Sequence, residues 1–168
     1  MLKGIIFDMD GVLINSEPFH FRVWKETLQR RGINLDYNVY KDCIGSTVSF
    51  LMKLLHENYG ISLEDDSLLT EMKEMKEELM KKEGFPPLIP YVKELLQNLS
   101  GGGYRMAVAS SSPQSYIEKV TKHWGIMQYF NKLISGESVR HPKPAPDVFL
   151  KAAGEMGLQP GECIVVED

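Results

Sequence analysis

The sequence predicts an α/β fold built on a parallel sheet, and three observations carry that reading. Short apolar runs with β-branched residues recur and each stops at polar or acidic residues. Helical stretches separate the later runs. Between the first run and the rest, residues 16–85 show helical periodicity with no convincing strand. Alternating elements of these lengths imply parallel strands joined by right-handed crossovers.

The first run, Leu2-Lys3-Gly4-Ile5-Ile6-Phe7, reads as a buried strand that enters a loop at Asp8-Met9-Asp10-Gly11. In the helical block Phe21, Trp24, Leu28 and Ile33 share one stripe, as do Phe50, Leu51, Leu54 and Leu55, and then Leu68, Met72, Met75 and Leu79. Glu77 with Lys81 and Glu78 with Lys82 stand at the helical spacing of four, which suits a solvated face. From residue 85 onward helix and strand alternate. A helix over 91–99 closes at Gly101-Gly102-Gly103, and a strand over 105–109 runs into Ser110-Ser111-Ser112. A helix over 116–123 stops near Gly125, and a short strand covers 132–135. Asp147 is expected to cap a helix reaching Met156, with Gly157 ending it. The last strand, 162–166, ends in Glu167-Asp168.

Composition excludes several classes. With 43% apolar and 25% charged residues, a chain of 168 can bury a real core, unlike a disordered or collagen-like one. A net charge of −4 gives no general attraction to nucleic acid or to an anionic membrane surface, so neither is expected as a partner. Cys43 and Cys163 are too few and too far apart for a disulfide framework or a paired-cysteine zinc site, and read as buried thiols of a reducing compartment. The N-terminal apolar stretch is broken by Lys3, Asp8 and Asp10, and no segment approaches the ~18 uncharged apolar residues of a membrane helix. The expected location is the cytoplasm, and the expected state a monomer.

In an open parallel sheet, ligands bind at the carboxyl ends of the strands, which here carry Asp8 and Asp10, then Ser110, and finally Glu167 and Asp168. Four acidic residues at two strand ends need a countercharge, and a divalent cation supplies one. Mg²⁺ fits best, because it takes hard oxygen ligands and is commonly held by one or two carboxylates plus substrate phosphate oxygens. The segment His141-Pro142-Lys143-Pro144-Ala145-Pro146-Asp147 adds a restrained cation: prolines at alternate positions are expected to hold the backbone extended and to aim Lys143. A point charge there could neutralise a carboxylate nucleophile and a transferring phosphoryl group together.

Asp8-Met9-Asp10-Gly11-Val12, Ser110 after a strand, Lys143 before a proline, and Val166-Glu167-Asp168 after a strand resemble, in order, the four motifs of the haloacid dehalogenase-like phosphatase superfamily. The resemblance spans essentially the whole chain. It implies a Rossmann-like parallel sheet core formed by residues 1–15 and 86–168, with an inserted helical cap over 16–85. By the same resemblance Asp8 attacks phosphorus and becomes an aspartyl phosphate, while Asp10 protonates the leaving oxygen and then activates the second acceptor. Ser110 hydrogen-bonds a phosphoryl oxygen, with Ser111 beside it against substrate, and Lys143 offsets charge. Mg²⁺ sits among Asp8, the Asp10 carbonyl, Glu167 and Asp168. The superfamily's further helix and strand after its fourth motif imply that the C-terminal part of the core is missing from this chain.

The string Ser16-Glu17-Pro18-Phe19-His20-Phe21-Arg22, followed by Trp24-Lys25, resembles the opening of the β-phosphoglucomutase-like branch, where a histidine at the position of His20 assists proton transfer. Gly45 and Ser46 fall where these caps carry a substrate-specificity loop, but the arginine that follows in the hexose-phosphate mutases is absent from Gly45-Ser46-Thr47-Val48-Ser49. Lys73 or Lys76 could stand for the cap lysine. The expected activity is hydrolysis of a small phosphorylated sugar or related metabolite. A phosphosugar mutase is the alternative, and a phosphoryl-accepting signalling domain or a non-catalytic module is the alternative of another class. A signalling receiver, however, has no helical insertion directly after its first strand.

Overall fold

Every residue of Gly4–Phe7 (β1) is buried, as an apolar run without alternation requires when both faces of a sheet are covered. In the computed structural model, which describes residues 1–44 and 48–168, β1 is joined by Arg105–Ser110 (β2), Lys132–Ser135 (β3) and Cys163–Val166 (β4) in the order β3-β2-β1-β4. All pairings are parallel. Phe7 stands opposite Val108 on one side and Val166 on the other, and Ser110 stands opposite Ser135. The residues that follow each strand therefore leave from one edge of the sheet.

The described helices are α1 (Glu17–Arg30), α2 (Tyr37–Tyr40), α3 (Val48–Tyr59), α4 (Asp66–Glu83), α5 (Val92–Gly101), α6 (Gln114–His123) and α7 (Asp147–Glu155). The chain divides into two units, Met1–Asn15 with Pro86–Asp168, and Ser16–Phe85. No described helix is long and apolar enough to cross a membrane.

In the first unit Ile6, Ala107, Ala109 and Ile134 of the sheet pack with Val148, Ala152 and Ala153 of α7 and with Met156 and Leu158 beyond it. The small side chains Ala152 and Ala153 let the helix approach the strands closely. The outgoing and returning passages of the chain are bound together inside this unit: the Ile89 N–H donates to the Leu13 carbonyl at 3.0 Å and the Asn15 N–H to the Pro87 carbonyl at 2.8 Å.

Two sequence expectations change here. Pro146, not Asp147, occupies the N-cap of α7, and the Asp147 carboxylate instead meets His141 Nδ1 at 2.8 Å. Strand β4 lies at the sheet edge, with Ile164, Val165 and Val166 37–47% exposed. Cys43 is buried, but Cys163 is only partly so.

The second unit is helical among its described residues. Leu28, Leu55 and Leu68 are fully buried together with Trp24, Leu35, Tyr40, Leu51 and Met52, and a smaller cluster joins Val23, Met75 and Leu79. Phe50 departs from its expected stripe. The buried face of α3 is Leu51, Met52 and Leu55, which leaves Phe50 on the flank and exposed. Glu78 reaches Arg30 on α1 at 2.6 Å rather than a lysine of its own helix.

Arg31, just past α1, ties that helix to the start of α4. Its guanidinium reaches Glu71 at 2.7 and 2.8 Å and the Asp65 carboxylate at 2.5 Å. Asp65 caps α4, accepting from the Leu68 N–H at 3.1 Å and the Ser67 hydroxyl at 2.6 Å. These bonds favour the ionised form, the Ser67 bond most and then Arg31, and hold the carboxyl down at about 2. A depressed native value means stability that is present above the unfolded carboxyl range and lost as pH falls through about 2. An NMR titration of Asp65 should therefore show a midpoint well below the ordinary range, and Ser67→Ala should move it upward; a midpoint near 4 in the wild type would contradict this packing.

Candidate active site

Asp8 is the first residue beyond β1, and its N–H continues the ladder by donating to the Val166 carbonyl at 2.9 Å. The side chain is nearly buried, at 9% residue exposure. One carboxylate oxygen accepts from the Met9 N–H at 2.7 Å and the other lies 3.0 Å from Lys143 Nζ. Burial pushes the Asp8 carboxyl up from its ordinary value. The Lys143 hydrogen bond and charge and the Met9 N–H pull against that shift, while the neighbouring Asp10 charge adds to it.

Lys143 is held from three sides. Its ammonium is 3.0 Å from Asp8, 3.0 Å from a carboxylate oxygen of Glu167, and 4.6 Å from the centroid of the Phe149 ring. The backbone that presents it is not extended as expected. Residues 142–145 form a tight turn in which the Ala145 N–H donates to the Pro142 carbonyl at 3.0 Å, with a cis Lys143–Pro144 bond. The prolines still restrict the lysine, but by a turn that cis-proline geometry permits.

Asp10 sits in a loop wound tightly at the end of β1, where the Leu13 and Ile14 N–H groups both donate to the Met9 carbonyl. One Asp10 carboxylate oxygen accepts from the Ser112 hydroxyl at 3.1 Å. Gly11 has φ 74, a left-handed conformation, and a Cβ there would collide with the Asp168 carboxylate. Glycine thus lets Asp168 come against the backbone beside Asp10.

Ser110 ends β2 and is 1% exposed. Its Oγ accepts from the Ser112 N–H at 3.1 Å, which leaves its own O–H to donate elsewhere. Ser111 is exposed at the surface of the same loop.

The first unit therefore gathers Asp8, Lys143 and Glu167 into one ion-paired group, with Asp10 tied to the loop after Ser110 and Asp168 against Gly11. His20 lies on α1 in the second unit, edge-on to Phe19 at 6.2 Å. Lys73 and Lys76 are on α4. Gly45 and Ser46 lie outside the described residues. Sequence reasoning missed Ser112, Ser135 and Phe149; only the serine triplet at 110–112 pointed towards the first of them.

Among the described residues no three His, Cys, Asp or Glu side chains gather into a metal cage. The donors at the strand ends are the hard oxygens of Asp8 and Glu167, each with one oxygen engaged by Lys143, and of Asp168 against Gly11. Such a set suits Mg²⁺ in kind, since that ion keeps waters and takes few protein carboxylates.

A family model described as haloacid dehalogenase-like hydrolase matches residues 5–168. Fructose-1-phosphate phosphatase YqaB of Escherichia coli (strain K12) is 34% identical over 167 residues, covering 98% of this chain and 86% of that protein. Hexitol phosphatase B of the same strain is 29% identical, covering 99% of this chain and 75% of its own length. The solved β-phosphoglucomutase of Clostridium difficile has the same fold, with a TM-score of 0.76 at 24% identity over 100% of this chain and 77% of that one.

Proposed function

The chain belongs to the haloacid dehalogenase-like hydrolases, and from that premise we propose that it hydrolyses a small phosphorylated sugar or related metabolite through an aspartyl phosphate on Asp8. What carries the reading is the setting of Asp8. It is a nearly buried carboxylate kept in reach of its charged form by Lys143 and the Met9 N–H, at the sheet edge where Ser110 also emerges.

In the first step the Asp8 carboxylate forms a bond to phosphorus and the bond to the sugar oxygen breaks, with the Asp10 carboxyl giving that oxygen its proton. In the second, water attacks phosphorus while Asp10, now ionised, takes the proton, and phosphate and the Asp8 carboxylate are released. The Ser110 hydroxyl donates to a phosphoryl oxygen, and Lys143 balances the charge of Asp8 and of the phosphoryl group. Positioning and charge neutralisation do most of the work in a loose phosphoryl transition state. Mg²⁺, held by Asp8, Asp168, the Asp10 carbonyl and Glu167, would supply further neutralisation of the phosphoryl oxygens.

The substrate class rests on relatives named for fructose-1-phosphate and hexitol phosphates. Residues 16–85 serve in this reading as the cap, and His20, Gly45, Ser46 and Ser111 are the residues assigned to substrate. The missing arginine after Ser46 favours water over a second sugar hydroxyl as acceptor. A monomer in the cytoplasm completes the reading, supported by a composition with two cysteines and no strongly charged bias.

A panel of sugar and hexitol phosphates, assayed with Mg²⁺ for both free phosphate and isomerised product, tests it. Phosphate release without isomerisation is the expected result. Isomerised product would make the protein a mutase, and no turnover of any phosphomonoester would remove the enzyme reading altogether.

A further inference from the structure

We propose that Ser135 is a positioning residue for the reaction, fixing the Asp10 carboxylate through Ser112. The inference rests on the role given to Asp10 under the proposed function. Ser135 ends β3 directly opposite Ser110 of β2 and is 1% exposed. Its hydroxyl donates at 2.8 Å to the Ser112 carbonyl, the nearer of its two acceptors, with a Glu137 carboxylate oxygen at 3.4 Å, and its oxygen accepts from the Glu137 N–H at 3.1 Å.

Ser112 is thereby gripped at both main-chain polar atoms. Its N–H donates to Ser110 Oγ at 3.1 Å, and its carbonyl is held by Ser135. The side chain that remains points its hydroxyl at Asp10, across 102 positions of sequence. Gly136 lets the two strand ends approach, because a Cβ there would lie 3.3 Å from the Ser111 Cα and 3.5 Å from the Ser110 carbonyl. The next loop anchor is weaker: the Gln114 N–H reaches a Glu137 carboxylate oxygen at 3.3 Å.

A purely local role for Ser135, capping the short turn Gly136–Ser138, accounts for the bond from Glu137 and not for the bond to Ser112. With Ser135 removed, a nearly buried site offers water little room to replace the lost donor, so the loop and its Ser112 hydroxyl lose their fixed place. Ser110 is less affected, since its backbone belongs to β2.

The consequence depends on the leaving group. A sugar alkoxide needs the proton of Asp10 to depart, whereas a nitrophenolate does not. Ser135→Ala should therefore lower kcat/KM for an alkyl phosphate such as fructose 1-phosphate about tenfold, and for p-nitrophenyl phosphate by no more than about twofold. Ser112→Ala should show the same selectivity, and the double variant should lose no more than Ser112→Ala alone, because the two side chains act in series. Equal losses on both substrates, or losses that multiply in the double variant, would overturn the proposal while leaving the hydrolase reading intact. A wild-type enzyme inactive on both substrates would overturn that reading and this inference with it. Should Ser135→Ala fold poorly, the substrate selectivity of Ser112→Ala decides in the same way, since Ser112 is only partly buried.

Discussion

Asp8→Asn is expected to abolish phosphate release from every substrate the wild-type protein accepts, and to leave its melting temperature at or above the wild-type value. The first half follows from chemistry: an amide oxygen is too weak a nucleophile to attack phosphorus. The second follows from the setting of the side chain. Burial is the largest influence on Asp8 and raises its carboxyl above the ordinary value. A native value above the unfolded one means that the folded state binds the proton more tightly, so ionisation costs stability increasingly as pH rises through that value. At neutral pH the wild type carries this cost, and the neutral amide does not. The amide oxygen can still accept from the Met9 N–H, and Lys143 keeps its second partner, Glu167, at 3.0 Å. Activity assays beside thermal unfolding check both halves. A marked fall in melting temperature would mean that Asp8 is chiefly a structural ion-pair partner.

Lys143→Met should reduce kcat/KM by about 10²–10³-fold, the usual loss when one preorganised charge stabiliser of the transition state is removed. Lys143→Arg should recover little of it, because a planar fork cannot replace a point charge set between two carboxylates and over the Phe149 ring. The methionine variant should also be less stable at neutral pH. Without the ammonium the two Lys143 influences that pull Asp8 down vanish and only the Met9 N–H remains, so its native value climbs further, and Glu167 faces it with no cation between them. The sign is then clear: the deficit shrinks as pH is lowered and Asp8 takes up its proton. Unfolding followed across the range from neutral to mildly acid pH checks this, and a deficit that grows on acidification would contradict it.

The chemistry of the site was legible where a residue type broke the pattern around it. Asp8 and Asp10 interrupt a buried apolar run, and Lys143 stands between prolines, so each was visible without coordinates. The turn that carries Lys143 was misread as extended, because a proline at alternate positions restrains φ without choosing between a cis and a trans bond. Ser112, Ser135 and Phe149 were not legible. The two serines depend on partners 102 and 23 positions away and on the β2–β3 register, which the spacing of serines does not reveal, and Phe149 on the fold of the turn that brings Lys143 over its ring. Asp147 shows the same limit at a helix start, where a favourable capping residue was diverted to His141. In the helical unit the stripes were readable at Leu28, Leu55 and Leu68, while Phe50 fell outside because the successive apolar residues Phe50, Leu51 and Met52 on α3 leave the buried face undecided.

The most direct test is to quench the protein rapidly during turnover of a phosphorus-labelled sugar phosphate, digest it and locate the label. Label on the peptide containing Asp8, lost in Asp8→Asn, is the expected result. Turnover that proceeds with the label on another residue, or with Asp8→Asn as active as the wild type, would contradict phosphoryl transfer through Asp8.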